Sequence, residues 1–243
     1  MSRIFSKIRA LSEVLFPLGV VVSFVLSCSH PINIETEIEE SGVKTVSLVG
    51  ASISTYQGFI NGNRYYYPCG DVDSVNKTWW MLLIKSLNCT FSQNYSWSGA
   101  RVTDTFPKYP SLVSEVKALD ESDLLILAGG YNDSRYGVPI GEVDHICPDD
   151  QLNCSQFAQA YEKYVRIARR KSKTVCCVIL MGMMDPYANS IYEIAEYYSL
   201  LVVDLREIEP TISMIDYPHP SAEGMSTIAE YCYSKLREYV ESD

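Results

Sequence analysis

The chain has 243 residues, 47% of them hydrophobic, which is enough for one sizeable core and ordinary for a single α/β domain. Its formal net charge of -10 argues against nucleic acid as a partner, since phosphate contacts need clustered cations. The composition carries no mark of disorder or of a fibrous repeat.

Taken in chain order, the first segment reads as a targeting signal. Arg3, Lys7 and Arg9 precede an apolar stretch from Val14 to Ser27, shorter than the roughly 20 residues of a membrane span. It ends in Val25-Leu26-Ser27-Cys28, which resembles a bacterial lipobox and implies lipidation of Cys28 after cleavage, ahead of an ordinary signal peptide or an uncleaved anchor. Residues 1–27 are thus expected as signal peptide. Residues 28–42, polar and acid-rich, are expected as a tether, and 43–243 as the folded domain. That reading places the protein outside the cytoplasm, held to a membrane only through its lipid anchor.

Short apolar runs then alternate with helical patterns. Strands are expected at Thr45–Val49, Thr90–Asn94, Leu124–Ala128, Val175–Met181 and Leu201–Asp204. Helices are expected at Thr78–Leu87, Leu112–Leu119, Cys154–Lys171, Ile191–Tyr198 and Ala222–Val240. Strands of four to eight apolar residues, each followed by a helix, predict a three-layer, doubly wound α/β/α domain with a parallel sheet. The longest irregular stretch, 131–153, is long enough to be expected either functional or disordered. Cys147 and Cys154 bracket a short polar loop and are expected to pair in an exported chain. Cys176 and Cys177 lie in an apolar run and are expected in the core.

In an open parallel sheet, ligands bind beyond the C-terminal ends of the strands. Four segments lie at such places: Gly50-Ala51-Ser52, Asn94-Tyr-Ser-Trp-Ser-Gly99, Gly129-Gly-Tyr-Asn132-Asp133, and Asp216-Tyr-Pro-His219. A serine needs a neighbouring base to become a nucleophile. Histidine suits that task near neutral pH, and a carboxylate orients its ring. His30 falls in the tether and His145 in the long irregular stretch, so His219 is the histidine placed beside an aspartate at a junction of elements.

Together, these four segments resemble the Ser, Gly, Asn and His blocks of the SGNH (GDSL-like) hydrolases. The resemblance covers the chain from about Val46 onward. It implies a flavodoxin-like α/β fold and a serine esterase without cofactor or metal. It also implies a Ser52–His219–Asp216 triad and an oxyanion hole formed by the backbone N–H groups of Ser52 and Gly99 with the Asn132 side chain. The aspartate of the family's first block is Ala51 here, and Ser54 and Asp104 are the nearby groups that stand as replacements for its support of the nucleophile turn. The chain lacks Gly-x-Ser-x-Gly, the mark of the other large hydrolase fold.

Each residue also has a plainer reading. Ser52 fits a turn or helix cap, Gly99 a turn, Asn132 an Asx-turn, and Asp216 to Pro220 a capped helix start. Asp133 is expected to hold its loop or cap a helix, and Trp79 and Trp80 to pack in the core or at its rim. Tyr131, Tyr136, Trp97 and Arg101 fall on loops near the predicted site, where they either contact a sugar or acyl group or simply pack. The expected substrate is a small-molecule or glycan ester, with deacetylation of carbohydrate foremost. The rivals are a lipase-like esterase for longer acyl chains and a non-catalytic glycan-binding lipoprotein.

Overall fold

The computed structural model describes residues 43–242, with side chains described through position 237. The signal segment 1–27, the tether 28–42 and Cys28 lie outside the described residues.

Alternation along the strands generates the layers. In β3 (Ser122–Ala128), Leu124 and Ile126 face one side while Leu125 and Leu127 face the other, all buried. In β4 (Ser172–Ile179), Cys176 and Val178 oppose Val175, Cys177 and Ile179 in the same way. Both faces are therefore apolar and each needs helical cover. With β1 (Thr45–Gly50), β2 (Thr90–Asn94) and β5 (Leu201–Asp204), these strands form an all-parallel sheet in the order β2-β1-β3-β4-β5. This is the doubly wound order expected of a flavodoxin-like domain.

One face is covered by α1 (Trp79–Ser86) and the C-terminal helix α6 (Ala222–Ser242). They bring Trp79, Trp80, Leu83, Met225, Ile228 and Cys232 onto the sheet. The other face is covered by α2 (Leu112–Ala118), α4 (Phe157–Lys171) and α5 (Asp185–Tyr198), where Leu112, Val116, Phe157, Tyr161, Tyr164 and Ile191 are buried. Burying one such side chain contributes about 1.5–3 kcal/mol. The helix starts are chemically marked. Thr78 accepts from the Met81 N–H at the head of α1, and Ser111 accepts from the Ser114 N–H at the head of α2.

Two expectations about cysteine part company. Cys176 and Cys177 are buried on opposite faces of β4, and burial pushes the Cys177 thiol up to about 12. Cys147 and Cys154 are not bonded to each other: each thiol is free and leans on a nearby carbonyl, of Pro148 and Leu152 respectively. The loop they bracket is held instead by Arg166, whose guanidinium donates to the Cys147 carbonyl at 2.6 Å and the Asp144 carbonyl at 2.9 Å. The long irregular stretch opens with a short helix, α3 (Tyr131–Arg135). A small antiparallel hairpin, β6 (Met214–Asp216) with β7 (His219–Pro220), precedes α6.

Candidate active site

The C-terminal end of β1 turns sharply. Gly50 is required there, because a Cβ would meet Ser54 Oγ at 2.8 Å and the Ala128 carbonyl at 2.9 Å. Residues Ser52–Ser54 then form a single 3₁₀ turn. The Thr55 hydroxyl donates to the Ser52 carbonyl at 2.7 Å, and the Asn94 side-chain amide donates to the Ser54 carbonyl at 2.8 Å. Neither group expected to replace the missing first-block aspartate does so. Ser54 Oγ is buried without a hydrogen-bond partner, and Asp104 is exposed. Thr55 and Asn94 tie the turn from other directions, and Ala51 is buried.

The β6–β7 hairpin explains the Asp-x-x-His spacing. Its register sets Asp216 opposite His219, so a three-residue separation becomes a side-by-side pair. His219 Nδ1 lies 2.5 Å from Asp216 Oδ1, and His219 Nε2 lies 2.9 Å from Ser52 Oγ. The second is an ordinary hydrogen-bonding distance, and the first is shorter than the usual range. The imidazole is mostly covered, with a side-chain exposure of 16%, whereas Asp216 is 59% exposed. The Tyr66 hydroxyl, and after it His219, hold the Asp216 carboxyl below the usual carboxylate range.

Gly99, on the loop after β2, and Asn132, in α3, come together through Ala100. Gly99 sits at φ +82°, a left-handed conformation that favours glycine. The Asn132 side-chain amide donates to the Ala100 carbonyl at 2.8 Å, which aims the amide at the Gly99 turn and leaves its second N–H. Among the described residues, no hydrogen bond from the Ser52 or Gly99 backbone N–H to a carbonyl or side chain is seen. Asp133 keeps the two segments in register. Fully buried, it accepts from the Val102 N–H at 2.8 Å, the Thr103 N–H at 3.1 Å and the Thr103 hydroxyl at 2.7 Å. Burial raises its carboxyl above the usual range against the pull of these donors. Asp133 therefore ties α3 to the 102–103 loop rather than holding a loop of its own.

Beside Ser52 lies a cavity of about 10 Å³ lined by Ala51, Ile53, Tyr131, Leu180, Met181 and Pro218. That is the scale of one water molecule or one methyl group. Near the Gly99 turn, the Arg64 guanidinium stacks 4.0 Å over Tyr109, whose ring lies 3.5 Å from where a Gly99 Cβ would stand. Arg101 lies between the rings of Phe106 and Tyr136, at 5.2 Å and 4.7 Å. Of the loop residues singled out in the sequence, Tyr131 lines the cavity, Tyr136 is exposed and Trp97 packs closely on Gly62. The sequence reading missed Thr55 and Asn94, which fix the turn, and Tyr66, which touches both Asp216 and His219.

Comparison with known proteins bears on the fold and the family of the chain. No curated protein matches the chain. Among solved structures, a candidate GDSL-like lipase from Bacteroides ovatus superposes with a TM-score of 0.72 at 24% identity, over 81% of this chain and 99% of that one. Another, from Bacteroides uniformis, has the same TM-score and identity over 83% and 99%. An active-site mutant of a family two carbohydrate esterase from Clostridium thermocellum superposes with a TM-score of 0.56 at 12% identity, over 80% of this chain and 63% of that one. These likenesses establish the shared fold. A family model, GDSL-like lipase/acylhydrolase, matches residues 44–236, nearly the whole described domain. The chain belongs to the GDSL-like lipase/acylhydrolase family.

Proposed function

We propose that the protein is a serine esterase in which Ser52 attacks an ester carbonyl. The observation that carries this reading is the continuous contact from Ser52 Oγ through the His219 ring to Asp216. His219 Nε2 takes the serine proton as Oγ bonds to the carbonyl carbon, and Asp216 stabilises the resulting imidazolium. The N–H groups of Ser52, Gly99 and Asn132 receive the oxyanion. His219 then gives its proton to the departing alcohol. Water, deprotonated by the same ring, releases the acid and restores the serine.

The substrate reading draws its support from what surrounds Ser52. The small apolar cavity beside Ser52 is in keeping with a short acyl group rather than a long one. Exposed aromatic rings and two arginines near Gly99 suit a polar, ring-shaped alcohol such as a sugar. The likeness to a carbohydrate esterase is in keeping with this. Export on a lipidated Cys28 belongs to the same proposal and rests on the sequence.

The test is hydrolysis of p-nitrophenyl acetate against p-nitrophenyl octanoate by the full chain and its Ser52→Ala variant. Acetate turnover should fall by about 10⁴-fold or more in the variant with the fold intact. Turnover retained by Ser52→Ala sinks the mechanism. A preference for octanoate sinks the short-acyl reading and leaves a lipase-like enzyme.

A further inference from the structure

The His219–Asp216 pair sits on weak foundations. The hairpin that carries it has strands of three and two residues, and so short a two-stranded unit is marginal without support. Asp216 is more than half exposed, so water competes for its oxygens and its rotamers cost entropy to fix. Tyr66 meets both members at once. Its hydroxyl donates to Asp216 Oδ2 at 2.6 Å, on the oxygen that His219 does not use. Its ring lies face to face with the imidazole, centroids 3.5 Å apart and planes 12° from parallel.

We infer that Tyr66 is a positioning residue that fixes the His219–Asp216 pair for proton transfer with Ser52; the inference rests on the esterase reading above. A carboxylate held on both oxygens cannot turn away from the ring. A ring covered on one face cannot swing, and an aromatic face attracts the imidazolium that forms when the serine proton arrives.

Tyr66 is itself anchored to the nucleophile. Its N–H donates to Thr55 Oγ1 at 2.8 Å, and that hydroxyl donates to the Ser52 carbonyl. The Tyr66 ring also meets Tyr67 edge-on at 4.8 Å, and the buried Tyr67 hydroxyl donates to the carbonyl of Pro220, next to His219. One dipeptide thus links the Ser52 turn to the hairpin on both sides. Burial, and after it Asp216, push the Tyr66 phenol up, so it stays a donor across neutral pH.

Steady-state kinetics of the full chain on p-nitrophenyl acetate test this with Tyr66→Phe and Tyr66→Leu, beside Ser52→Ala. Phenylalanine keeps the ring and loses the hydroxyl; leucine loses both. We expect kcat to fall about tenfold in Tyr66→Phe and about a hundredfold in Tyr66→Leu, with KM within about twofold of wild type. The partial recovery by phenylalanine separates positioning from loop packing.

A second measurement does not depend on turnover. The low-field proton resonance of a short His–Asp hydrogen bond, recorded with the imidazole protonated, should be present in the wild type and lost in Tyr66→Leu. The inference is overturned if that resonance survives Tyr66→Leu or is missing from the wild type. It is likewise overturned if Tyr66→Leu keeps wild-type kcat, or changes only KM or thermal stability. Wild-type turnover that Ser52→Ala leaves intact refutes the esterase reading instead, and the resonance then decides the role of Tyr66 alone.

Discussion

His219 and His145 have closely similar immediate surroundings. Each sets Nδ1 on a carboxylate, Asp216 at 2.5 Å and Glu162 at 3.1 Å. Each carries a tyrosine ring stacked on its face, Tyr66 at 3.5 Å and Tyr197 at 3.7 Å. The difference lies in the remaining contacts. His219 Nε2 reaches Ser52 Oγ, whereas among the described residues no hydroxyl or thiol hydrogen-bonds to the His145 ring. Asp216 is exposed and, among the described residues, shared only with Tyr66, but Glu162 is buried and its Oε1 is taken by Arg166 at 2.8 Å and Tyr198 at 2.6 Å. A histidine, a carboxylate and an aromatic lid therefore do not make a catalytic site. In the proposed mechanism the chemistry comes from the nucleophile on the far nitrogen and from the position beyond the strand ends.

The strongest way to break this comparison is to remove each ring in turn. His219→Ala should lower kcat on p-nitrophenyl acetate by about 10⁴-fold or more, while His145→Ala should leave it within about threefold. Equal losses in the two variants would place His145 in the chemistry and dissolve the distinction.

The next effect is on stability and belongs to the other histidine. Arg166 binds Glu162, the Tyr198 hydroxyl, Asp149 and two carbonyls of the irregular stretch, so it pins that stretch onto α4. Arg166→Met leaves the buried Glu162 without its guanidinium, holding only His145 and the Tyr198 hydroxyl, at a cost of about 3 kcal/mol. For a domain of this size that lowers Tm by about 10 °C. Adding Glu162→Gln should recover part of the loss, and kcat per folded molecule should not change. A melting temperature unmoved by Arg166→Met would show that the cluster does not hold the loop.

The two regions were also unequally legible in the sequence. The strands stood out because each is a short apolar run, and the four site segments because they fall at element ends. Asp216 and His219 were readable as neighbours from their spacing, but the hairpin that pairs them was not, since strands of three and two residues carry no periodicity. α5 starts at Asp185-Pro186 rather than at Ile191, because Asn189 and Ser190 interrupt the apolar spacing that marks a helix. Tyr66 had no local signal at all: its partner Asp216 is 150 residues away, and only the folded chain brings them together. Glu162 and Arg166 have ordinary i,i+4 spacing, which reads as a solvated pair. Their burial follows from the irregular stretch folding over them. The support of the Ser52 turn was misread for a related reason, since Thr55 and Asn94 act through backbone carbonyls that a motif does not show.

The smallest expected effect is on the pH dependence of stability, and it sharpens the same contrast. Around Asp149, burial acts to raise the carboxyl, but hydrogen bonds from Arg166 and Arg170 outweigh it and hold the carboxyl low. Asp216 is held low by Tyr66 first and His219 second. Each is depressed in the folded state, so the unfolded chain binds more protons in the acid range. The stability these groups contribute is present above the ordinary aspartate value of about 4 and is lost as pH falls through their folded values. Asp133, raised by burial, works in the opposite sense: its contribution is complete in acid and is lost as pH rises through its folded value. Melting curves from about pH 6 to about pH 3 should therefore fall less steeply for Asp149→Asn and Asp216→Asn than for wild type. Only Asp216→Asn should also lower esterase turnover at neutral pH. If both variants keep the wild-type acid slope, neither carboxylate is held by its partners as strongly as the contacts imply. If Asp149→Asn impairs turnover as much as Asp216→Asn, the His145 region is coupled to the chemistry after all.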